Sequence, residues 1–349
     1  MKVVHAIYSL ITGGTENMLI DIVNQQCQYA DVHLIIINDI VNDEYIKNID
    51  KRVNIFRLNR IEGSKYQLLS SWIRIDKFLR SIKPDVIHCH NHNIIPFFLL
   101  WRKITCLTVH CLNIPTKYLK YYNKIFSISK AVQDDLIKRA NIKSILIYNG
   151  ILLDDFQRKN NYSEIELESF YIIQVGRLFY QTKGQDIAIR ALSLLVKKYT
   201  NLHINLSFAG EGNDLEILQF LAKELNLENN ITFLGNMKKD WISTNLSNYH
   251  LLIQPSREEG FGLTIIEGFA SGIPVIASKA GGLYEILHIL NSGISINPDS
   301  CDDLADAISM VIDAYVNNKI KDTDFLIKEN SKLSLFDVKT TAKKYIDNY

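Results

Sequence analysis

Short, almost wholly apolar runs alternate along this chain with longer stretches in which apolar residues recur every three to four positions. The runs Val3–Ser9, His33–Ile37, Val53–Phe56, Asp85–Cys89, Thr105–Val109, Ile125–Ile128 and Ile145–Ile147 are rich in β-branched residues and read as strands. Helical spacing fills most of the gaps, for example in Met18–Gln28, Leu68–Arg80 and Ala131–Ala140. The segment 152–169 is polar, charged and without period, and reads as a linker. A second series then begins: Tyr171–Val175, His203–Phe208, Ile231–Phe233, His250–Ile253, Pro274–Ala277 and Ile294–Ile296. Fully apolar strands between helices predict parallel sheets covered on both faces. The expected fold class is therefore α/β, with two doubly wound Rossmann-like domains at 1–151 and 170–335. A C-terminal helix at 336–349, spaced through Ala342, Tyr345 and Ile346, could run back to the first domain, a course that spacing leaves open. Such sheets bind ligands at the carboxyl ends of their strands, so two in tandem suggest a cleft between domains.

Charge changes the picture more than composition does. A hydrophobic content of 47% and a charged content of 22% are ordinary for a globular protein. The net charge of +1 hides an imbalance: residues 1–160 carry 22 Lys and Arg against 14 Asp and Glu, or +8, and the remainder carries 17 against 24, or −7. Two readings stay open, an anionic partner for the first half, such as a phospholipid surface or a lipid diphosphate, or attraction between the two halves. The near-neutral whole and the lack of a recognised motif disfavour nucleic acid. Cys27, Cys89, Cys106, Cys111 and Cys301 are odd in number and lack paired metal spacing, which fits reduced thiols in a cytoplasmic protein. The opening MKVVHAIYSLITGG is too short and too β-like for a signal peptide, and no apolar run approaches the roughly 20 residues of a spanning helix. Membrane contact, if any, is expected to be peripheral. Trp101-Arg102-Lys103 and Lys117–Lys124 mix cations with aromatics, as a bilayer-facing surface does and as an ordinary helix surface also does.

The stretch Arg257–Gly272 carries the most chemistry. Glu259 and Glu267 stand seven residues apart around a Gly-Phe-Gly turn. Gly260 and Gly262 disfavour a continuous helix, which places Glu259 on a loop and Glu267 in the first turn of the next helix. A loop carboxylate beside a helix N-terminus pairs an acceptor for hydroxyls with a cradle for phosphate. The competing reading is structural: Thr264 and Glu267 have the spacing of a capping box.

Gly176-Arg177-Leu178 closes the first strand of the second domain, and Lys183-Gly184 opens its first helix. Arg177 and Lys183 are then two cations at one sheet edge, able to stabilise a departing diphosphate without a metal. Gly210-Glu211-Gly212 is another sheet-edge turn. Gly13-Gly14 follows the first strand and lets backbone approach an anion, but the full dinucleotide fingerprint is missing, which disfavours a nicotinamide cofactor. His110 follows the strand Thr105–Val109 and can donate a hydrogen bond to a sugar hydroxyl or a reacting oxygen. The alternating His88, His90 and His92 could be read as a metal cluster, but Asn91 and Asn93 point instead to a strand fraying into a loop. Asp322-Thr323-Asp324 resembles a metal–diphosphate pair and reads better as a helix start.

Together these residues resemble the GT-B glycosyltransferases, in particular the large retaining family often called family 4. The resemblance spans nearly the whole chain. It is strongest over Gly176–Gly184 and Pro255–Gly281, with further matches at Gly13–Glu16, Asp85–His90, Ser129-Lys130 and Tyr148–Gly150. It implies that Arg177 and Lys183 grip the donor diphosphate, that Glu259 lies near the donor sugar hydroxyls and Glu267 near the ribose, and that Phe261, Gly262 and Leu263 bring amides to the donor. Gly176 and Gly210 would border the donor, Gly14 would lie near donor phosphate and acceptor, and His110 would contact the transferred sugar. Around His110 the match is looser, since Cys111-Leu112-Asn113 replaces more polar residues. The implied activity is retaining transfer of a hexose or N-acetylhexosamine from a nucleotide sugar, UDP-linked, to a glycan or an undecaprenyl-diphosphate-linked saccharide, as in bacterial polysaccharide assembly, with no metal and no cofactor. The alternatives are a GT-B-like nucleotide-sugar epimerase and a non-catalytic nucleotide-sugar-binding subunit.

Overall fold

The apolar runs form strands of two all-parallel sheets. The computed structural model describes residues 1–11, 13–64, 66–162, 168–327 and 330–349. Residues 163–167 of the expected linker lie outside them. The chain divides into two compact units, Met1–Leu152 with Leu335–Tyr349, and Leu153–Ser334.

In the first unit, β1 (Lys2–Ile7), β2 (Asp31–Asn38), β3 (Asn54–Arg60), β4 (Val86–Cys89), β5 (Thr105–Val109), β6 (Lys124–Ser127) and β7 (Ile145–Leu146) lie in the order β3-β2-β1-β4-β5-β6-β7. In the second, β8 (Ser169–Val175), β9 (His203–Ala209), β10 (Ile231–Gly235), β11 (Leu251–Gln254), β12 (Val275–Ser278) and β13 (Ile294–Ile296) lie in the order β10-β9-β8-β11-β12-β13. Each sheet grows outward from its first strand in one direction and then in the other. The direction reverses between β1 and β4 and between β8 and β11. Ligands bind at such switch points because the loops leaving the two strands diverge there and open a crevice.

The central strands are buried, as in β1 and β2, where every residue after the first is covered, whereas β3, β7, β10 and β13 at the sheet edges are partly exposed. That double-sided burial explains the near-absence of alternation in the sequence. The helix Gly14–Gln26 begins four residues before the expected Met18, because Gly13 in extended backbone enters it directly and Glu16 suits the positive end of its dipole. It buries Met18, Leu19, Ile22 and Val23.

The last helix, Val338–Asn348, starts with Asp337 accepting from the Lys339 amide and packs on Gly14–Gln26. Its entry is fastened by reciprocal backbone bonds between Ile151 and the Phe336–Val338 segment, at 3.0 and 2.9 Å. Lys124 Nζ donates to the carbonyls of Asn348 and Tyr349 at 2.6 Å each, a cation at a helix C-terminus. In the second unit, the Gln157 and Lys159 amides donate to the Ser243 and Ser271 carbonyls at 2.9 and 2.8 Å, and the Tyr162 hydroxyl donates to the Gly272 carbonyl at 2.5 Å.

Candidate active site

In the second unit the switch point is built by the loops leaving β8 and β11. Pairing of Leu251 with Ile172 and of Leu252 with Ile173 sets these strands side by side. Their loops are sewn together by backbone: the amides of Arg257 and Glu258 donate to the Thr182 carbonyl at 2.8 and 3.3 Å. Lys183 and Glu259, 76 positions apart, meet as an ion pair, with Nζ 2.6 Å from Oε2. Their side chains keep 25% and 16% of their exposure, so the pair is largely covered but still meets solvent. Ser256 Oγ lies 3.5 Å from the same carboxylate oxygen. Arg177 is exposed, and its guanidinium has no hydrogen-bond or ion-pair partner among the described residues.

Lys183 does not open a helix as expected. It ends a single turn, Tyr180–Lys183, and Gly184 separates that turn from the helix Gln185–Lys198. The reason is steric. Gly184 has φ +69°, and a Cβ there would stand 2.1 Å from the Pro255 carbonyl oxygen. Only glycine allows this reversal and this close approach of the two loops.

Three buried glutamines hold the same region, and sequence reasoning passed over them. Gln174 Nε2 donates to the Lys183 carbonyl at 2.8 Å, Gln185 Nε2 to the Arg177 carbonyl at 2.9 Å, and Gln254 Nε2 to Ser256 Oγ at 3.0 Å. Ser278 Oγ donates to the Ser256 carbonyl. The clue in the sequence was an amide at the end of an otherwise apolar strand, at Gln174 and again at Gln254.

Arg257 was also missed. Its guanidinium binds Asp186 through two nitrogens at 2.8 and 2.9 Å, the Tyr180 carbonyl at 2.6 Å, and Asp299. The Asp186 contact, with help from Asp299, raises its already high pKa. Lysine cannot reproduce the planar fork. Arg257→Lys is therefore expected to lower unfolding stability by about 1–3 kcal/mol, measured by urea denaturation; an unchanged midpoint would show that the fork does not brace the loop.

The helix after the acidic loop runs Leu263–Ala270 with Gly262 before it, at φ +107°, and no side chain caps it. Two expectations are corrected. No capping box forms, because the glycine lets the helix begin one residue before Thr264, leaving Thr264 inside the first turn. Glu267 is consequently in the second turn, half-buried. Phe261 is buried, and Gly262 and Leu263 continue the turn. The Gly282 amide donates to the Glu259 carbonyl at 3.2 Å, so a second helix, Gly281–Leu290, also begins against this loop. Gly176 and Gly210 lie backbone to backbone: the Gly176 amide donates to the Ala209 carbonyl at 2.9 Å, and a Cβ on Gly210 would stand 2.0 Å from the Gly176 oxygen. Asp214 accepts from the Tyr180 amide at 3.0 Å instead of capping its own helix. Asp322 closes a 3-10 turn, Ile320–Asp322, and starts no helix there, contrary to expectation; Asp324 supplies a carbonyl to the Gly293 amide at 2.8 Å.

The first unit gathers different chemistry at its switch point. β4 ends at Cys89, and β5 hands directly to His110. His110 Nε2 lies 3.2 Å from His90 Nδ1, and His90 Nε2 lies 3.0 Å from His5 Nδ1 on β1. His92 stays outside this group, because the strand stops before the alternation reaches it. Among the described residues, His5, His88 and His90 place ring nitrogens within 4.8 Å of one another, a spacing that could hold a metal ion. Both nitrogens of His88 are instead engaged, with the Tyr349 hydroxyl at 2.7 Å and Thr108 Oγ1 at 2.6 Å. Burial pushes His5 and His110 down to about 4, and His88 and His90 well below the usual imidazole value. Neutral, hydrogen-bonded rings account for the cluster. Gly14 opens the helix after β1, and a Cβ there would meet nothing within 4 Å, so packing does not demand glycine.

Comparison with known proteins decides the family. Residues 12–155 match the family described as Glycosyltransferase Family 4, and residues 155–324 match Glycosyl transferases group 1. The chain belongs to the group 1, family 4 glycosyltransferases. Its fold is GT-B, with two Rossmann-like parallel-sheet domains. Among relatives in this glycosyltransferase family, the O-antigen chain mannosyltransferase RfbU of Salmonella typhimurium is 25% identical over 299 residues, 78% of this chain and 79% of that protein. The phosphatidylinositol N-acetylglucosaminyltransferase gpi3 subunit of Schizosaccharomyces pombe is 27% identical over 259 residues, 70% of this chain but only 55% of the yeast protein. Anabaena Alr3699/HepE, solved in complex with UDP and glucose, superposes with a TM-score of 0.79 at 22% identity, covering 100% of this chain and 99% of that one.

Proposed function

We propose that this glycosyltransferase moves a hexose or N-acetylhexosamine from a UDP-sugar to a glycan or lipid-linked saccharide, with retention of anomeric configuration. One observation supports the reading: the loop leaving β8 carries Arg177 and Lys183, and Lys183 forms an ion pair with Glu259 on the loop leaving β11, at the switch point of the sheet. A nucleoside diphosphate needs cations there, and a sugar needs a hydroxyl acceptor beside them. The complex of Anabaena Alr3699/HepE with UDP and glucose supports the UDP assignment.

The chemistry needs no covalent intermediate on the protein. The bond from the anomeric carbon to the diphosphate oxygen breaks, and the acceptor oxygen bonds to the same face. The acceptor proton passes to the departing diphosphate, so the products are a glycoside and UDP. Arg177 and Lys183 stabilise the charge that grows on the leaving group, which is where fixed cations contribute most to rate. Glu259 orients sugar hydroxyls once the diphosphate draws Lys183 away from it. Glu267 holds the ribose, and the Phe261–Leu263 amides together with Gly176 and Gly210 line the donor.

The acceptor is assigned to a saccharide on a lipid diphosphate at the cytoplasmic membrane face. Support comes from the +8 balance of residues 1–160 and from exposed Leu99, Leu100 and Tyr121 among cations. Among the described residues no helix is long and apolar enough to cross a membrane, so contact would be peripheral. A mass-spectrometric screen of the purified protein against nucleotide sugars, with and without lipid-linked saccharides, tests the reading. Acceptor-dependent glycosylation with release of UDP is expected. Conversion of the donor sugar without acceptor would identify an epimerase, and binding without turnover across the panel would identify a non-catalytic subunit.

A further inference from the structure

The histidines at the β1/β4 switch point form a directed chain whose polarity is set at its buried end. Gln26 Nε2 lies 3.3 Å from the Ala342 carbonyl and 3.2 Å from the Tyr349 hydroxyl. A carbonyl only accepts, so the amide nitrogen must face it. Gln26 Oε1 therefore faces His5 Nε2, at 2.7 Å, and that nitrogen must carry a proton. A neutral His5 then offers a lone pair at Nδ1, and His90 Nε2 donates to it across 3.0 Å. His90 Nδ1 is left as an acceptor, and His110 Nε2 donates to it across 3.2 Å.

A second branch from the same glutamine agrees. The Tyr349 hydroxyl accepts from Gln26 and gives its proton to His88 Nδ1. His88 Nε2 donates to Thr108 Oγ1, which donates to the Tyr345 hydroxyl at 3.1 Å. Every proton has one place to go. The neutrality this requires follows from burial: His5 and His88 are fully covered and His90 nearly so, and no carboxylate is bonded to any of these rings among the described residues. The direction of their pKa shifts is the same.

We propose that Gln26, through His5 and His90, locks His110 as its Nε2–H tautomer, so that its outer nitrogen, Nδ1, can only accept a hydrogen bond. Nδ1 has no partner among the described residues. His110 thus recognises a donor group, a sugar hydroxyl on the function proposed above, and rejects a phosphate or carboxylate oxygen. This reverses the direction expected from sequence, where His110 was to donate. Gln26, His5 and His90 are positioning residues and touch no substrate.

The test is the nitrogen-15 spectrum of the imidazoles in the full-length protein near pH 7.5, which needs no turnover and so separates this proposal from the assigned activity. Wild type is expected to show His110 protonated at Nε2 and bare at Nδ1. Gln26→Glu offers a carboxylate that favours a charged His5. The Nδ1–H of that ring then reverses each link, and His110 should move toward the Nδ1–H form. Gln26→Leu removes the anchor and should give a mixture of both tautomers. In folded Gln26 variants, judged by circular dichroism, KM for the donor should rise about tenfold or more. Adding His110→Ala to wild type and to the Gln26→Glu variant should abolish the difference between them. An Nδ1–H tautomer in wild type, or an unchanged His110 signal in both Gln26 variants, would overturn the proposal. Should neither variant fold, the wild-type spectrum alone decides.

Discussion

Arg177→Ala and Lys183→Ala should each lower transfer by about two to three orders of magnitude, mainly in kcat. The loss follows from where the cations act. A diphosphate carries more localised charge as it departs than while it is bonded to the sugar, so a fixed cation gains more in the transition state than in the ground state. The two variants should differ in stability. The Arg177 side chain is exposed and has no polar partner among the described residues, so its removal should leave the unfolding midpoint unchanged. Removing Lys183 strands a carboxylate with only 16% of its exposure left, and about 1–3 kcal/mol of stability should be lost with the pair. Glu259→Gln should lower transfer while sparing the fold, since the amide keeps the shape and its oxygen can still accept from Lys183. Near-wild-type turnover in both cation variants would discredit the diphosphate clamp. Steady-state kinetics beside urea denaturation resolves all three.

The second large effect is acid sensitivity of the first unit. His5 and His110 have pKa values pushed from 6.5 to about 4, and His88 and His90 move the same way. The main cause in each is burial, which disfavours the charged ring. In the unfolded chain these histidines take protons near 6.5. The unfolded state therefore binds more protons below that pH, and stability falls as pH falls. The contribution is fully present above about 6.5 and is lost progressively down to about 4. For His5 alone the shift corresponds to roughly 3 kcal/mol, a sizeable part of the total stability of an ordinary domain. Thermal unfolding followed from pH 7.5 to 4.5 should show the midpoint dropping steeply below 6.5. A flat midpoint over that range would mean that the rings are charged or solvated in the native protein.

Much of this architecture could be read from the chain because its physics is local. Each of the thirteen apolar runs found in the sequence corresponds to an observed strand, with ends displaced by a few residues where a polar terminus such as Arg60 or Asn38 continues the ladder. Parallel strands buried on both faces leave that signature. The glycines at 176 and 210 could likewise be recognised as sheet-edge turns, and Gly262 as part of a turn, whereas Gly184 reads as a helix start. The helix start at Leu263 was misjudged because a glycine entry is invisible to a pattern that looks for Ser, Thr or Asp. Contacts made by long side chains across large sequence gaps left no pattern at all. Lys183 meets Glu259, Arg257 meets Asp186, and Gln26 meets His5 because topology carries them together; Lys183 and Glu259 stand out singly but not as a pair, and Arg257, Asp186, Gln26 and His5 look like ordinary surface or core choices. Three of the four clustered histidines stand out as sequence features. The missing member, His5, sits in the middle of an apolar strand, where a lone imidazole is easily taken for a satisfied core residue.

The most direct test of a diphosphate site at the β8/β11 crevice is calorimetric binding of UDP and of uridine to wild type and to the Arg177→Ala, Lys183→Ala double variant. UDP should bind wild type at least about 100-fold more tightly than uridine, and the gap should collapse in the double variant while uridine binding is unchanged. Equal affinities of wild type for the two ligands, or a gap that survives the loss of both cations, would contradict it.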